Sequence, residues 1–387
     1  MLDFDIDTTS KEEVSKVSSR FDQVYWRQVC AEKRFPEEYW KAFADAGFFG
    51  FLIDKKWGGK GKGLVDFSQA IEETSERFAG LGSYLFLSGA LVSKIIDICG
   101  SEEQKDRLLP ELAKGKIKIS IALTEEISGL DANAIQTKAE KTSDDTFVLS
   151  GAKSFVNNYD RAHYLVMFAR TAPVSEKKSM GTSMFLVPLE EKARNSIRAR
   201  KLSKLGFDFL NNFNIEFNDL TVNSSQMLGG FGNAWHSVVQ IFNMDRVATS
   251  ASLVGTGKLA LRAASEWAKK RSVFGKVIAT NQGIQFPLAD AYAQLEAAEN
   301  MTLKAASLCD GGKSFLNEAS YALLAATTAA SAATDRALQT FGGHGYYSDY
   351  DVERYWRDVR VHRVHPISEE LILASIAERS LGLPRSY

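Results

Sequence analysis

The segment Tyr164-Leu-Val-Met-Phe168, in the middle of the chain, is a short run of apolar and aromatic residues within a largely helical sequence. Three similar runs lie near it, at Phe147-Val-Leu149, Met184-Phe-Leu-Val187 and Phe213-Asn-Ile-Glu-Phe217, and polar turns separate them. Short runs rich in β-branched and aromatic residues between turns are typical of strands. The pattern therefore predicts a small antiparallel β-sheet domain at this place.

The sequence on both sides of this segment is typical of helices. Upstream, Pro36 precedes a stretch in which Tyr39, Trp40 and Phe43 share one helical face. Downstream, from Gly229, long Ala- and Leu-rich segments show no strand pattern. This order predicts an α+β fold with an N-terminal helical domain, a middle antiparallel sheet and a C-terminal helical bundle. We expect the domains at residues 1–118, 119–228 and 229–387, and no Rossmann fold, because the G-x-G-x-x-G motif is missing.

Composition and charge exclude several classes of protein. Among the 387 residues, 47 Lys and Arg stand against 48 Asp and Glu, so no net positive charge attracts nucleic acid or an anionic membrane. The three cysteines and five histidines show neither metal-ligand spacing nor a disulfide framework. No charge-free stretch reaches the roughly 20 residues of a spanning helix, and the first residues are acidic where a targeting peptide is basic. We therefore expect a cytoplasmic protein without metal, nucleic-acid or membrane partners.

Short motifs follow one another along the chain in a fixed order. They are Leu123-Thr-Glu125 with Gly129-Leu-Asp131, Gly151-Ala-Lys153 with Phe155-Val-Asn157, Lys204-Leu-Gly206, Arg271-Ser-Val-Phe274-Gly275, Gln282, Gln339-Thr-Phe-Gly-Gly-His-Gly-Tyr346 and Tyr355-Trp-Arg-Asp358. Each motif alone is weak evidence, because glycine and aromatic turns are common. In this order and at this spacing, the series resembles the acyl-CoA dehydrogenase family, flavoenzymes with the same three-part layout.

This resemblance implies that the chain binds FAD. The backbone at Leu123 and the hydroxyl of Thr124 match groups that hydrogen-bond the flavin ring. Phe155 and Asn157 stand where the family usually has Trp and Thr against that ring. The alternative interpretation of Phe155 is an aromatic residue in the core of a strand.

A second group of residues matches those that a neighbouring subunit presents to the diphosphate and adenine of FAD. Arg271 and Phe274 form one part, and Gln339 with the Gly342-Gly343 turn forms the other. A guanidinium suits a diphosphate because it can donate two parallel hydrogen bonds, although Arg271 could also be a solvated helix end. The resemblance therefore implies a homo-oligomer, either a dimer or a tetramer. The implied cofactor-binding residues are Leu123, Thr124, Leu130, Phe155, Asn157, Arg271, Phe274, Gln282, Gln339, Gly342, Gly343 and Ser368.

Two positions in the flavin loop depart from the family pattern. Leu130 stands where the family usually has a serine, so a hydrogen bond to FAD or CoA is lost or rebuilt. We expect the Leu130 side chain to lie against the cofactor or CoA. Glu126 replaces a proline and adds a carboxylate near the flavin.

The position of the catalytic base is also unusual. Most family members carry a glutamate shortly after an Arg-Asp pair, and the matching residue here is Pro366, which neither accepts a proton nor has a backbone N–H. A minority place the base on an earlier helix, immediately before an arginine, and Asp245 followed by Arg246 matches that pattern. We predict Asp245 as the base and Arg246 as a substrate-binding residue. The alternative is that Asp245 is a helix-surface acid paired with a cation.

The resemblance implies FAD-dependent α,β-dehydrogenation of an acyl thioester, with acyl-CoA as the substrate and an electron-transfer flavoprotein as the acceptor. The carboxylate removes the α-proton, and the β-hydrogen leaves as a hydride to the flavin. Three alternatives remain open: atypical chemistry on a branched, cyclic or carrier-bound acyl group, a catalytically silent flavin or acyl-CoA binding protein, and an oxidase that reduces oxygen.

Overall fold

The computed structural model describes residues 8–173 and 179–386. Its N-terminal part is helical, and a short π-helical stretch at Phe86–Leu91 joins the fifth helix to the sixth. The helices of this part are α1 Thr9–Ser18, α2 Gln23–Ala31, α3 Glu37–Asp45, α4 Leu64–Arg77, α5 Leu81–Leu85, α6 Val92–Cys99 and α7 Glu102–Ala113.

Local sequence explains where two of these helices begin and end. Helix α3 begins directly after Pro36 and is followed by Gly47, whose φ of 75° suits glycine. Helix α7 begins with a capping box, in which the side chains of Ser101 and Gln104 each accept a hydrogen bond from the other residue's backbone N–H. These short-range signals fix the ends of the helices that flank the sheet.

The middle part is a sheet with strand order β6-β7-β3-β2-β4-β5-β8, and β1 pairs with β4 beside this path. The elements are β1 Ile119–Ala122, β2 Lys138–Ser143, β3 Thr146–Asn157, β4 Tyr164–Arg170, β5 Thr182–Pro188, α8 Glu191–Asn195, β6 Ile197–Lys201, β7 Asn212–Asn223 and β8 Met227–Leu228. Most pairs are antiparallel, as predicted. The prediction was wrong for β1, which runs parallel to β4, and for one contact of β2 with β4. The β2–β3 hairpin lies between β1 and β4 in sequence and supplies the long connection that a parallel pair needs.

The C-terminal part returns to helices, which are α9 Ala234–Lys270, α10 Gln282–Asp310, α11 Leu316–Phe341, α12 Val352–Arg360 and α13 Glu369–Leu381. A small hairpin of β9 (Ser272–Val273) and β10 (Lys276–Val277) lies between α9 and α10. The sequence analysis expected no strands here, because strands of two residues are too short to show an alternating pattern. None of the described helices is long and apolar enough to cross a membrane.

Helix α9 packs closely against α4 through small residues. A Cβ atom on Gly255 would come within 2.2 Å of the Glu72 carbonyl oxygen, so only glycine fits there. The hydroxyls of Ser75 and Ser252 are hydrogen-bonded at 2.9 Å across the same contact. The N-terminal and C-terminal helical parts therefore share a closely packed contact.

The start of α4 is capped by a residue from the end of α10. The Asp310 carboxylate accepts hydrogen bonds from the backbone N–H groups of Leu64 and Val65 at 2.6 and 2.9 Å. The residue at the N-cap position itself is Gly63, which has no side chain to fill this role. A carboxylate here satisfies free N–H groups and suits the positive end of the helix dipole.

Candidate active site

The first predicted flavin-binding segment, Leu123 and Thr124, lies directly against strand β3. The Thr124 carbonyl accepts the N–H of Ser154 at 2.8 Å, and the Leu123 carbonyl accepts a hydrogen bond from Lys153 Nζ at 3.1 Å. The Thr124 hydroxyl makes no hydrogen bond to any other described residue. It is therefore available to a ligand.

The predicted ring-contact residues Phe155 and Asn157 lie at the end of the same strand. Phe155 has a φ of 61° and a side chain that is 63% exposed, so the strand-core interpretation was wrong. A positive φ is strained for a bulky residue, and such strain is concentrated at functional sites. Asn157 Oδ1 accepts a hydrogen bond from Asn212 at 2.5 Å, which leaves the Asn157 amide N–H groups for a ligand.

The loop that follows Thr124 exposes an apolar side chain. Leu130 is 62% exposed, so it is not an ordinary core residue. Glu126 is also exposed in this loop. The contact of Leu130 with the cofactor or CoA stays a prediction.

The predicted diphosphate and adenine residues begin at the hairpin after α9. Arg271 follows the last residue of α9, and its guanidinium has no hydrogen bond or ion pair within the described ranges. Phe274 and Gly275 form the turn with φ values of 52° and 81°, as a two-residue hairpin loop of type I′ requires. The Phe274 side chain is fully exposed, and Gln282 opens α10 just beyond the hairpin. The alternative for Arg271, a solvated helix end, stays open.

The other part of this group lies at the end of α11. Gln339 is exposed there, and the Gly342 backbone has φ 60° and ψ −137°, a region that essentially only glycine occupies. No atom lies within 4 Å of a Cβ built on Gly342 or Gly343, so the turn faces open space. The indole of Trp267 stacks on Phe341 with ring centroids 4.7 Å apart, which brings the ends of α9 and α11 together.

Ser368, also predicted to bind the cofactor, caps helix α13. Its side chain is buried and its Oγ accepts the N–H of Leu371 at 3.2 Å. A serine hydroxyl that accepts one hydrogen bond can still donate another. The cofactor contact of Ser368 therefore stays a prediction beside a structural role.

The predicted base, Asp245, lies in the middle of α9 and is only 4% exposed. The alternative interpretation as a surface acid paired with a cation was therefore wrong. Within the described part of the chain, its one hydrogen bond is a long one, 3.4 Å from Thr249 Oγ1. Burial raises the pKa of Asp245 from 3.8 to about 7, while Thr249 and Arg246 act in the opposite direction. A carboxyl with a pKa near neutrality is well suited to take up and release protons.

Arg246 points toward helix α11. Its NH1 group donates to Ser320 Oγ at 3.0 Å, and burial lowers its pKa. No carboxylate among the described residues lies within ion-pair distance of this guanidinium. Arg246 is thus a largely buried cation that stands next to the predicted base.

The histidines beside Pro366 do not replace a base at that position. Burial lowers the pKa of His362 to about 3 and that of His365 to about 4. Such weakly basic imidazoles are poor proton acceptors at neutral pH. In the described residues, no group of three or more His, Cys, Asp or Glu side chains could hold a metal ion.

Family comparisons cover almost the whole chain. The family model described as acyl-CoA dehydrogenase, N-terminal domain, matches residues 9–116. The models for the middle and C-terminal domains match residues 120–220 and 232–381. The chain belongs to the acyl-CoA dehydrogenase family.

Individual relatives agree with this assignment. An acyl-CoA dehydrogenase of Bacillus subtilis (strain 168) is 34% identical, with 90% of each chain covered. Butyryl-CoA dehydrogenase from Megasphaera elsdenii has a TM-score of 0.90 at 29% identity, covering 97% of this chain and 99% of that one. A chain from a study of the electron transferring flavoprotein of Acidaminococcus fermentans has a TM-score of 0.92 at 28% identity, covering 98% and 99%. The predicted three-part α+β fold is confirmed.

Acyl-CoA dehydrogenases use FAD, and the residues present fit this cofactor. The Thr124 hydroxyl has no hydrogen bond within the described residues, and the Phe155 ring is exposed. The Arg271 guanidinium has no partner in the same ranges, and the turn at Gly342 is open.

Two buried residues near the predicted flavin-binding segments had no predicted role. Lys153 forms an ion pair with Glu125 at 2.8 Å, and both side chains are buried. A signal was available, because Lys153 occupies an inward-facing position of β3, where the strand otherwise places apolar residues such as Leu149 and Val156. A charged residue at such a position needs a buried partner.

Proposed function

We propose that this protein is an FAD-dependent dehydrogenase of acyl-CoA thioesters in which Asp245 is the catalytic base. Its domains are residues 1–118, 119–228 and 229–387. The proposal rests on the Asp245 carboxyl. This group is buried, accepts one long hydrogen bond from the described residues, and has a pKa of about 7. It stands directly before Arg246, as in the minority of the family.

The ionised carboxylate of Asp245 removes the α-proton of the substrate. The thioester carbonyl acidifies that C–H bond, and burial excludes water that would compete for the carboxylate. With a pKa of about 7, a large share of Asp245 is ionised at physiological pH. FAD, if held by these residues, would supply the acceptor for the β-hydrogen as a hydride, and the product would be the enoyl thioester.

Other residues of the chain bind and orient the reactants. Thr124, Phe155 and Asn157 hold the flavin ring, while Arg271 and the turn at Gly342 hold the diphosphate and adenine of a neighbouring subunit's FAD. Leu123, Leu130, Phe274, Gln282, Gln339, Gly343 and Ser368 complete this cofactor site. Arg246, the residue after Asp245, binds the substrate.

Pro366 affects the polarisation of the thioester carbonyl. The family uses a backbone N–H at this position, and proline has none. Loss of one such donor can reduce transition-state stabilisation by about 2.7–4 kcal/mol. We therefore expect slow turnover on ordinary straight-chain acyl-CoA substrates.

The electrons pass to an electron-transfer flavoprotein, and the active form is a homodimer or homotetramer in the cytoplasm. Support for this acceptor comes from the related chain studied with the flavoprotein of Acidaminococcus fermentans. Support for an oligomer comes from the exposed side chains of Arg271 and Phe274 and from the Arg271 guanidinium, which has no ion pair within the described residues.

Anaerobic mixing of the FAD-loaded protein with straight, branched and cyclic acyl-CoA thioesters tests the proposal. We expect bleaching of the flavin absorbance together with an enoyl product for at least one substrate. Silence across the panel would favour a binding protein, and hydrogen peroxide without an added acceptor would favour an oxidase. A monomeric protein that retains FAD would contradict the shared cofactor site.

A further inference from the structure

Lys153 is a buried lysine in the middle sheet, between the two segments that are proposed to hold the flavin ring. Its side chain has no exposed surface, and burial lowers its pKa to about 8. Nζ donates to Glu125 Oε1 at 2.8 Å and to the Leu123 carbonyl at 3.1 Å. One ammonium group thus ties the end of strand β3 to the segment that follows β1.

Glu125 is held just as firmly on its other side. Its Oε1 accepts the backbone N–H of Thr137 at 3.0 Å and the Thr137 hydroxyl at 2.5 Å, while Oε2 accepts the N–H of Gln136 at 2.7 Å. The carboxylate is therefore fully occupied and cannot move without breaking several hydrogen bonds. The Coulomb attraction of Lys153 and these hydrogen bonds lower the pKa of Glu125 against the opposing effect of burial.

This pair connects the two proposed ring-binding segments. Leu123 and Glu125 flank Thr124 on one segment, and Lys153 lies two residues before Phe155 on the other. The Thr124 carbonyl also accepts the N–H of Ser154 at 2.8 Å. A displacement of the pair would therefore move the Thr124 hydroxyl and the strained, exposed Phe155 together.

Stability alone does not account for such a pair. Charges taken out of water lose hydration, and an apolar pair of similar volume is often as stable as a buried ion pair or more stable. What the ion pair provides is a fixed geometry, because the ammonium binds a particular carbonyl and a particular carboxylate oxygen. That property matters where two segments must present groups to one planar ligand.

We propose that Lys153 is a positioning residue for the flavin, which acts through the Leu123–Glu125 segment and through Phe155 to set the affinity for FAD and the environment of its ring. This inference rests on the FAD site proposed above. It names a residue that need not touch the cofactor.

The test compares Lys153→Met with a matched variant, Lys258→Met. Lys258 is another largely buried lysine, and it bridges Glu72 and Glu299 between α4, α9 and α10, away from the proposed ring-binding segments. For each FAD-free protein, the dissociation constant for FAD and the absorption spectrum of bound flavin are measured beside the thermal unfolding midpoint. We expect Lys153→Met to weaken FAD binding at least about tenfold, the effect of one or two lost polar contacts, and to shift the flavin bands. Lys258→Met should lower the unfolding midpoint and leave both flavin readouts unchanged.

The double variant Glu125→Gln/Lys153→Met covers the case in which the single variant folds poorly. Because it leaves no uncompensated buried charge, it should recover thermal stability but not FAD affinity. Recovery of normal affinity and spectrum in the double variant, or normal flavin readouts in Lys153→Met, would overturn the inference. Phe155→Ala tests the proposed FAD site independently of the role of Lys153. If Phe155→Ala also binds FAD normally, the proposed site itself is wrong, whereas weak binding there with normal binding in Lys153→Met refutes only the role of Lys153.

Discussion

Asp245 and Asp358 are both buried aspartates, and burial raises the pKa of each to about 7. Their surroundings differ. Asp358, on α12, accepts the N–H of Phe207 at 2.6 Å and lies beside the guanidinium groups of Arg354 and Arg357. Asp245, on α9, accepts one long hydrogen bond from the described residues, given by a hydroxyl one turn further along its helix.

The difference shows that burial and a raised pKa do not identify a catalytic group by themselves. A carboxyl that accepts a short backbone hydrogen bond and lies beside two guanidinium groups serves to hold two segments together, as Asp358 holds the loop that follows β6. A carboxyl that is buried with few partners keeps its oxygens for a ligand. We therefore assign the chemistry to Asp245 and the structural role to Asp358.

The largest expected effect is on the rate of flavin reduction. Asp245→Asn should lower that rate by about two to four powers of ten, because proton abstraction is lost while the shape of the side chain is kept. Asp358→Asn should leave the rate per flavin-loaded molecule nearly unchanged. Anaerobic stopped-flow mixing with a substrate that reduces the unaltered protein measures both. Equal losses of rate in Asp245→Asn and Asp358→Asn would contradict the different roles proposed for the two aspartates.

The second effect is on stability as a function of pH. The pKa of Asp245 rises from 3.8 in the unfolded chain to about 7 in the folded one, so the folded protein holds the extra proton and loses stability as the pH rises from about 4 to 7. Above pH 7 the ionised carboxyl lowers the free energy of unfolding by roughly 4 kcal/mol. Asp245→Asn in the FAD-free protein should therefore be more stable than the unaltered chain at pH 8, with no difference near pH 4.

Chemical denaturation at the two pH values measures this dependence. The same exchange at Asp358 should gain about as much at pH 8, because burial raises the pKa of that carboxyl to about 7 as well. Equal stability of Asp245→Asn and the unaltered chain at pH 8 would contradict the raised pKa of Asp245.

The third effect tests how closely the Asp358 carboxylate packs against Gly206. A Cβ on Gly206 would lie 2.6 Å from Asp358 Oδ1 and 3.0 Å from the Arg357 carbonyl oxygen. Gly206→Ala should therefore reduce the free energy of unfolding by about 1–3 kcal/mol, the usual effect of overpacking. Gly283→Ala is the matched control, because no atom lies within 4 Å of its Cβ position. Equal unfolding midpoints for the two alanine variants would show that the contact is not tight.

A smaller effect concerns Thr249, which donates to Asp245. Thr249→Val removes the hydrogen bond that holds the pKa of Asp245 down, so the apparent pKa of the rate should rise by less than about one unit. The rate at pH 7 should fall by less than about tenfold and recover at pH 9. Ser250→Ala is the control, since that hydroxyl donates to the Arg246 carbonyl instead. An unchanged pH–rate profile in Thr249→Val would show that the 3.4 Å hydrogen bond does not affect the pKa of Asp245.

Sequence patterns predicted the three-part fold but not which side chains are buried or paired with one another. The change from helical periodicity to short β-rich runs between polar turns located the sheet, and the motifs located the exposed Phe155 and Phe274. The sequence could not show that Asp245 is buried, because α9 is covered by other helices along much of its length and has no clear polar face. Nor could it show that Lys153 meets Glu125, a contact that exists only after β3 has packed beside the segment that follows β1.

The cap that Asp310 provides for α4 has a consequence for synthesis of the chain. The two partners are separated by 246 positions, and Gly63 offers no local substitute. At ribosomal rates of about 5–20 residues per second, the start of α4 waits roughly 12–50 seconds for its carboxylate. During that interval, the nascent N-terminal segment has an incomplete helix start and an uncovered face that will later meet α9. The protein is therefore expected to finish folding only when its C-terminal helices have left the ribosome, and truncation before Asp310 should leave a product that chaperones retain.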